Sequence, residues 1–178
     1  MSSPTVRDIA ANLRDTEDSI LGKTHTEQEF YSLTDNQTGV YLDWERHKDG
    51  LQYNLPYVIK LKGYDAQRLK SAIREVVEAH PYLKAGLSIV DGEVKLHRRD
   101  GDCFNCTVTA LNAEPDNAFF QNRIRPFDLF GEPLYRFEIY TYGKYTYLLR
   151  DVHHIITDGL SDNMMMDQIF KAYNGETI

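Results

Sequence analysis

Tyr147-Leu-Leu-Arg-Asp-Val-His-His-Ile-Ile-Thr-Asp-Gly-Leu-Ser161 is an apolar strand that runs into two adjacent histidines, His153 and His154, and then into Asp158 and Gly159. The Asp-Gly pair predicts a turn at the end of that strand. Histidine has an ordinary pKa of about 6.5 and so can exchange a proton near neutrality. A carboxylate four residues on can fix its surroundings, and a glycine lets backbone approach closely. Successive strand residues point to opposite faces, so only one of the two histidines can face a given cleft.

Four readings of the pair compete. Strand-end histidines can be purely structural. A metal site needs about three protein ligands, which His153, His154 and Asp158 could supply, but two successive strand residues do not converge easily on one ion. A Ser-His-Asp relay needs a nucleophile, and no Gly-x-Ser-x-Gly elbow is present. The fourth is a single imidazole that accepts a proton while the other residues shape its surroundings.

Working outward, Leu134 to Tyr142 and Tyr145 to Val152 alternate aromatic and β-branched residues around Gly143 and predict a hairpin. Ser161 or Asp162 is placed to cap a closing helix over Asn163 to Tyr173, with Met164, Met165 and Met166 as core filling. Upstream, Asp65 caps the clearest helix: Leu69, Ile73, Val76 and Val77 share one face, and Pro81 ends it. Asp91-Gly92 between Leu83–Val90 and Glu93–His97 is a strong hairpin signal. Further strands are expected over Tyr53–Leu61 and Phe104–Leu111. Short helices are expected after Thr34 or Asp35 and from Asp116 toward Pro126, the latter carrying Phe119, Phe120 and Ile124. Residues 1–29 hold few aliphatic anchors and read as an N-terminal tail or docking helix, with the domain proper over 30–178. This order predicts an α/β layered domain with a mixed sheet flanked by helices.

The composition is that of a globular protein: of 178 residues, 42% are hydrophobic and 26% charged. A formal net charge of −7 opposes binding to nucleic acid or to an anionic membrane surface. No apolar run approaches the roughly 18–20 residues a membrane helix requires. The opening residues lack an apolar signal core, which makes a cytoplasmic address the default. Cys103 and Cys106 could form a redox dithiol or half of a zinc site. No second Cys-x-x-Cys completes such a site, and the plain reading is two small residues beside a strand.

His153-His-Ile-Ile-Thr-Asp-Gly159 resembles the His-His-x-x-x-Asp-Gly signature of nonribosomal peptide synthetase condensation domains, within the chloramphenicol-acetyltransferase-like superfamily. Three further stretches agree in order. Ser32-Leu-Thr-Asp-Asn-Gln37 with Tyr41 resembles the first condensation motif, and Glu78-Ala-His-Pro-Tyr-Leu83 the second. Arg125-Pro-Phe-Asp-Leu129 with Pro133-Leu-Tyr-Arg136 resembles the segment leading into the signature. Two positions depart from the pattern. Lys84 stands where the family usually has an arginine that pairs with the signature aspartate, and Leu160 stands where an aromatic often follows the glycine.

The resemblance implies a chloramphenicol-acetyltransferase-like lobe, one half of a two-lobed domain, with its site half open and its C-terminal lobe as partner. It implies an acyltransferase that forms an amide between substrates held on donor and acceptor peptidyl carrier proteins. Their phosphopantetheine arms would bring the substrates, with no cofactor or metal bound directly. His154 would take the amine proton or hold the amine in line, while His153 packs the strand end. Asp158 would brace the turn with Lys84 or an arginine, and Gly159 would permit tight backbone beside the channel. The rivals are another acyltransferase of the superfamily, an epimerisation domain, or a non-catalytic carrier-docking module; one lobe alone is expected to be inactive.

Overall fold

The computed structural model describes residues 29–99, 101, 104–131 and 133–178. The expected N-terminal tail or docking helix, apart from Glu29, lies outside the described residues, as does Cys103. In chain order the elements are β1 (Phe30–Ser32), α1 (Asp35–Arg46), β2 (Tyr57–Lys62), α2 (Ala66–Ala79), a 3₁₀ turn (Pro81–Lys84), β3 (Ala85–Val90), β4 (Glu93–Arg98), β5 (Cys106–Ala110), α3 (Asn117–Gln121), β6 (Tyr135–Tyr142), β7 (Tyr145–Val152) and α4 (Gly159–Asn174).

The strands form two sheets. One is antiparallel, in the order β1-β4-β3; the other has the order β2-β7-β6-β5, with β5 parallel to β6 and the remaining pairs antiparallel. The expected mixed sheet is therefore the four-stranded one. Asp91 and Gly92 both take positive φ, 54° and 81°, which is what a two-residue turn matching strand twist demands. The strand expected from Tyr53 begins only at Tyr57. Pro56 has no N–H to give a ladder, and Leu55 N–H donates to Val152 O instead.

α2 and α4 cover one face of the four-stranded sheet. Leu69, Ile73, Val76 and Val77 meet Phe137, Ile139, Leu148 and Val152, with Met165 and Ile169 of α4 closing the layer. At about 1.5–3 kcal/mol for each large apolar side chain removed from water, this layer is the main store of stability. Met165 alone of the methionine run is fully buried; Met166 packs at the edge, and Met164 is exposed. A second cluster of Trp44, Leu87, Phe127, Leu129, Leu134 and Ile155 joins α1 and the small sheet to the end of β7. α3 stops at Gln121, so Ile124 lies outside it. Cys106 sits under α2, where burial pushes its thiol up to about 12. A thiol held there forms little thiolate. In a Cys103→Ser background, Cys106 should react with iodoacetamide only after denaturation. Labelling of the native protein at pH 8 would contradict this burial.

Candidate functional site

Strand β7 ends at Val152, and the chain from His153 to Thr157 turns across the end of the sheet. Most backbone groups of the turn have a partner. His153 N–H donates to Leu134 O at 2.9 Å, His154 N–H to Tyr53 O at 2.9 Å, and Ile156 N–H to His153 O at 3.1 Å. Ile155 N–H donates to His153 Nδ1 at 3.2 Å, and Gln37 Nε2 donates to Ile155 O at 2.9 Å. The two imidazoles diverge, as strand alternation requires.

His153 is 1% exposed, wedged between Tyr53 and the edge of Phe127. Burial lowers its pKa to about 4, helped by the neighbouring charges of His154 and Arg136. The folded protein thus keeps His153 neutral where the unfolded chain, at its ordinary 6.5, already binds a proton. Its contribution to stability is complete above pH 6.5 and is lost as pH falls toward 4. The gap is worth roughly 3 kcal/mol at 1.36 kcal/mol per pH unit. His153→Gln keeps an acceptor for Ile155 N–H but does not titrate. Its melting temperature should fall less than the parent's between pH 7 and 4.5; equal falls would show that His153 is not the titrating group.

His154 is exposed and takes the other direction. Its Nδ1 lies 2.7 Å from Thr157 O, a group that can only accept, so Nδ1 carries the proton. In the neutral imidazole the lone pair is then at Nε2, the nitrogen able to accept a proton from a substrate. The side chain lines a cleft of about 620 Å³ with Gln37, Tyr53, Ile155, Thr157 and Asp158. The far wall is the first turn of α1, whose Thr34 and Gln37 form a reciprocal capping box.

Asp158 caps a helix rather than pairing with a cation. It is the N-cap of α4: its Oδ1 accepts from Ser161 N–H at 2.8 Å. That bond, with the Ser161 side chain and Leu160 N–H, lowers its pKa. The helix therefore starts ahead of the expected caps Ser161 and Asp162, because the first free amides lie just beyond the turn. Among the described residues no cation pairs with Asp158, so the expected brace by Lys84 or an arginine is corrected. Arg150 of β7 pairs instead with Asp162 in the first turn of α4. Gly159 does not need its freedom inside the lobe either: its φ is ordinary, and a Cβ there would meet no atom within 4 Å.

The support behind the turn was not foreseen from the sequence. Arg136 Nη1 donates to Arg125 O at 2.6 Å and to Asp151 Oδ2 at 3.3 Å, and Nη2 donates to Pro126 O at 2.7 Å. Its guanidinium stacks 3.6 Å from the Phe127 ring centre. Asn54 Nδ2 reaches Asp151 Oδ2 at 2.7 Å and Arg125 O at 3.0 Å. This cluster ties the 125–127 segment to β7 two residues before His153, and Trp44 Nε1 secures the same segment through Phe127 O at 3.1 Å. The available signal was charge within two aromatic-rich strands, Arg136 and Glu138 in β6 and Arg150 and Asp151 in β7. Among the described residues no group of three or more His, Cys, Asp or Glu is arranged to hold a metal ion. No helix among them is long and apolar enough to cross a membrane.

The family model described as Condensation domain matches residues 27–178. The chain is 29% identical over 181 residues to bacitracin synthase 3 of Bacillus licheniformis, covering 99% of this chain and 3% of that protein. To tyrocidine synthase 3 of Brevibacillus parabrevis it is 31% identical over 186 residues, covering 99% and 3%. Among solved structures, the starter condensation domain of the rhizomide synthetase RzmA superposes with a TM-score of 0.75 at 19% identity, over 84% of this chain and 40% of that one. The tallysomycin biosynthesis protein TlmII gives 0.70 at 22% identity, over 84% and 38%. The chain thus spans a small part of the curated relatives and about two fifths of the solved domain, which makes it one lobe of a chloramphenicol-acetyltransferase-like fold. By sequence and by fold, it belongs to the condensation domain family of nonribosomal peptide synthetases.

Proposed function

We propose that this lobe supplies the histidine of a site that joins two carrier-bound thioesters through an amide. The observation that carries the reading is His154 on the family's signature, open to the cleft, with Nδ1 committed to Thr157 O and Nε2 left to act. An α-ammonium with a pKa near 8 must lose a proton before it can attack. Nε2 accepts that proton or holds the free amine in line while its nitrogen forms a bond to the thioester carbonyl carbon. The carbon–sulfur bond then breaks, and the departing phosphopantetheine thiolate takes up a proton.

Holding two tethered reactants in one channel supplies much of the rate through effective concentration, whatever the histidine adds. The phosphopantetheine arms come with the donor and acceptor carriers, and the second lobe completes the channel. His153 packs the strand end, and Asp158 caps α4 without touching substrate. The test offers the complete enzyme both loaded carriers and looks by mass spectrometry for the amide-linked product on the acceptor carrier. Absence of that product with verified loading would overturn the reading. The 178-residue chain alone should give none; turnover by it would show that one lobe suffices.

A further inference from the structure

We propose that Gln37 is a positioning residue for His154, a role that rests on the reading of His154 as the reacting histidine. The turn carrying His154 is held partly from within and partly from outside. Ile155 N–H to His153 Nδ1, Ile156 N–H to His153 O, and His154 Nδ1 to Thr157 O are local. Three bonds reach in from distant chain: Leu134 O accepts His153 N–H, Tyr53 O accepts His154 N–H, and Gln37 Nε2 donates to Ile155 O across 118 residues. The first two are backbone to backbone and are available to many sequences. The third depends on one side chain.

The amide is itself held from both ends. Gln37 Oε1 accepts from Thr34 N–H at 3.0 Å and lies 3.2 Å from Thr34 Oγ1. Thr34 N–H can only donate and Ile155 O can only accept, so the orientation of the amide is determined by its partners. The capping box therefore does more than start α1. It aims Nε2 at the carbonyl that follows His154, and this fixes the peptide plane leading to Thr157. Thr157 O is the group that keeps the proton on Nδ1 and the lone pair on Nε2. Loss of the Gln37 donor frees Ile155 O, lets the turn drift, and weakens the Nδ1 bond that selects the tautomer. Partners that orient a metal-ligating histidine are typically worth 10- to 100-fold in metal affinity or activity, and a loss of that order is expected for the partner of this imidazole.

Two variants together test the donor. Gln37→Glu keeps the acceptor that the capping box needs and replaces the N–H toward Ile155 O with a charged oxygen. Gln37→Met removes the N–H without adding charge, and removes the capping acceptor with it. In the two-lobed protein labelled with ¹⁵N-histidine, at a pH where the imidazole is neutral, the parent His154 should show a protonated Nδ1 and an unprotonated Nε2. Its signals are identified by their loss in His154→Gln.

Both Gln37 variants should show averaged nitrogen shifts from a mixture of tautomers. The rate at saturating loaded carriers should fall 10- to 100-fold, the carrier KM should stay unchanged, and Gln37→Glu should melt near the parent. A parental tautomer signature in both variants would overturn the proposal. A change in Gln37→Glu with none in Gln37→Met would also overturn it, by assigning the effect to the added charge. If His154→Ala kept full activity, the functional reading would fail, yet the tautomer result would still report on Gln37.

Discussion

Replacement of His154 by alanine should lower amide formation in the complete synthetase by about 10²- to 10⁴-fold, the usual contribution of a positioned general base. The chain should fold as before. His154 is exposed, and its side chain makes one local bond, to Thr157 O. Truncation there opens no cavity and strands no charge. The melting temperature should therefore stay within a few degrees of the parent while carrier loading is unchanged. Parental rates in this variant, with folding and loading intact, would remove His154 from both proton transfer and positioning.

Arg136→Ala should have the largest effect on stability, on the order of 3–5 kcal/mol, because it breaks a buried pair and leaves one charge without its partner. The side chains of Arg136 and Asp151 are 9% and 4% exposed, so water does not readily replace what is lost. Burial alone raises the Asp151 pKa, and Asn54 and Arg136 counter that rise. Three carbonyl or carboxylate oxygens lose a donor at once.

For a domain of this size the loss corresponds to a drop in melting temperature of about 10 °C, readable by circular dichroism. Arg136→Lys keeps the charge but not the fork, and should fall between the parent and Arg136→Ala. A shift of only one or two degrees in Arg136→Ala would mean that the cluster is not what holds the 125–127 segment. Phe127 of that segment packs on His153, so the loss should also loosen the strand end that presents His154.

Local chemistry was legible wherever it was written in consecutive residues. The helix over Ala66–Ala79 with its Asp65 cap, the Asp91-Gly92 hairpin, and the β6–β7 pair follow from side-chain period and turn propensity. The opposed directions of His153 and His154 follow from strand alternation. Legibility ended where a residue's role depends on a partner far along the chain. Asp158 was expected to brace the turn with a cation, and nothing in the sequence ranks a helix cap above an ion pair. Whether Arg150 meets Asp158 or Asp162 depends on where α4 begins, and it begins at Gly159 with Asp158 spent as its cap. Strand β1, of only three residues, exists because β4 offers it an edge.

By itself, then, the sequence determined the family, the elements and the candidate residue, because ordered motifs, periodicity and alternation all act over short spans. Only the tertiary structure decided which groups hold the histidine and with what protonation. Gln37 reaches Ile155 O, Tyr53 O takes His154 N–H, and Thr157 O directs the proton to Nδ1. Hydrogen bonds act over about 3 Å, so a partner 118 residues away is defined only once packing of the core has brought the two segments together.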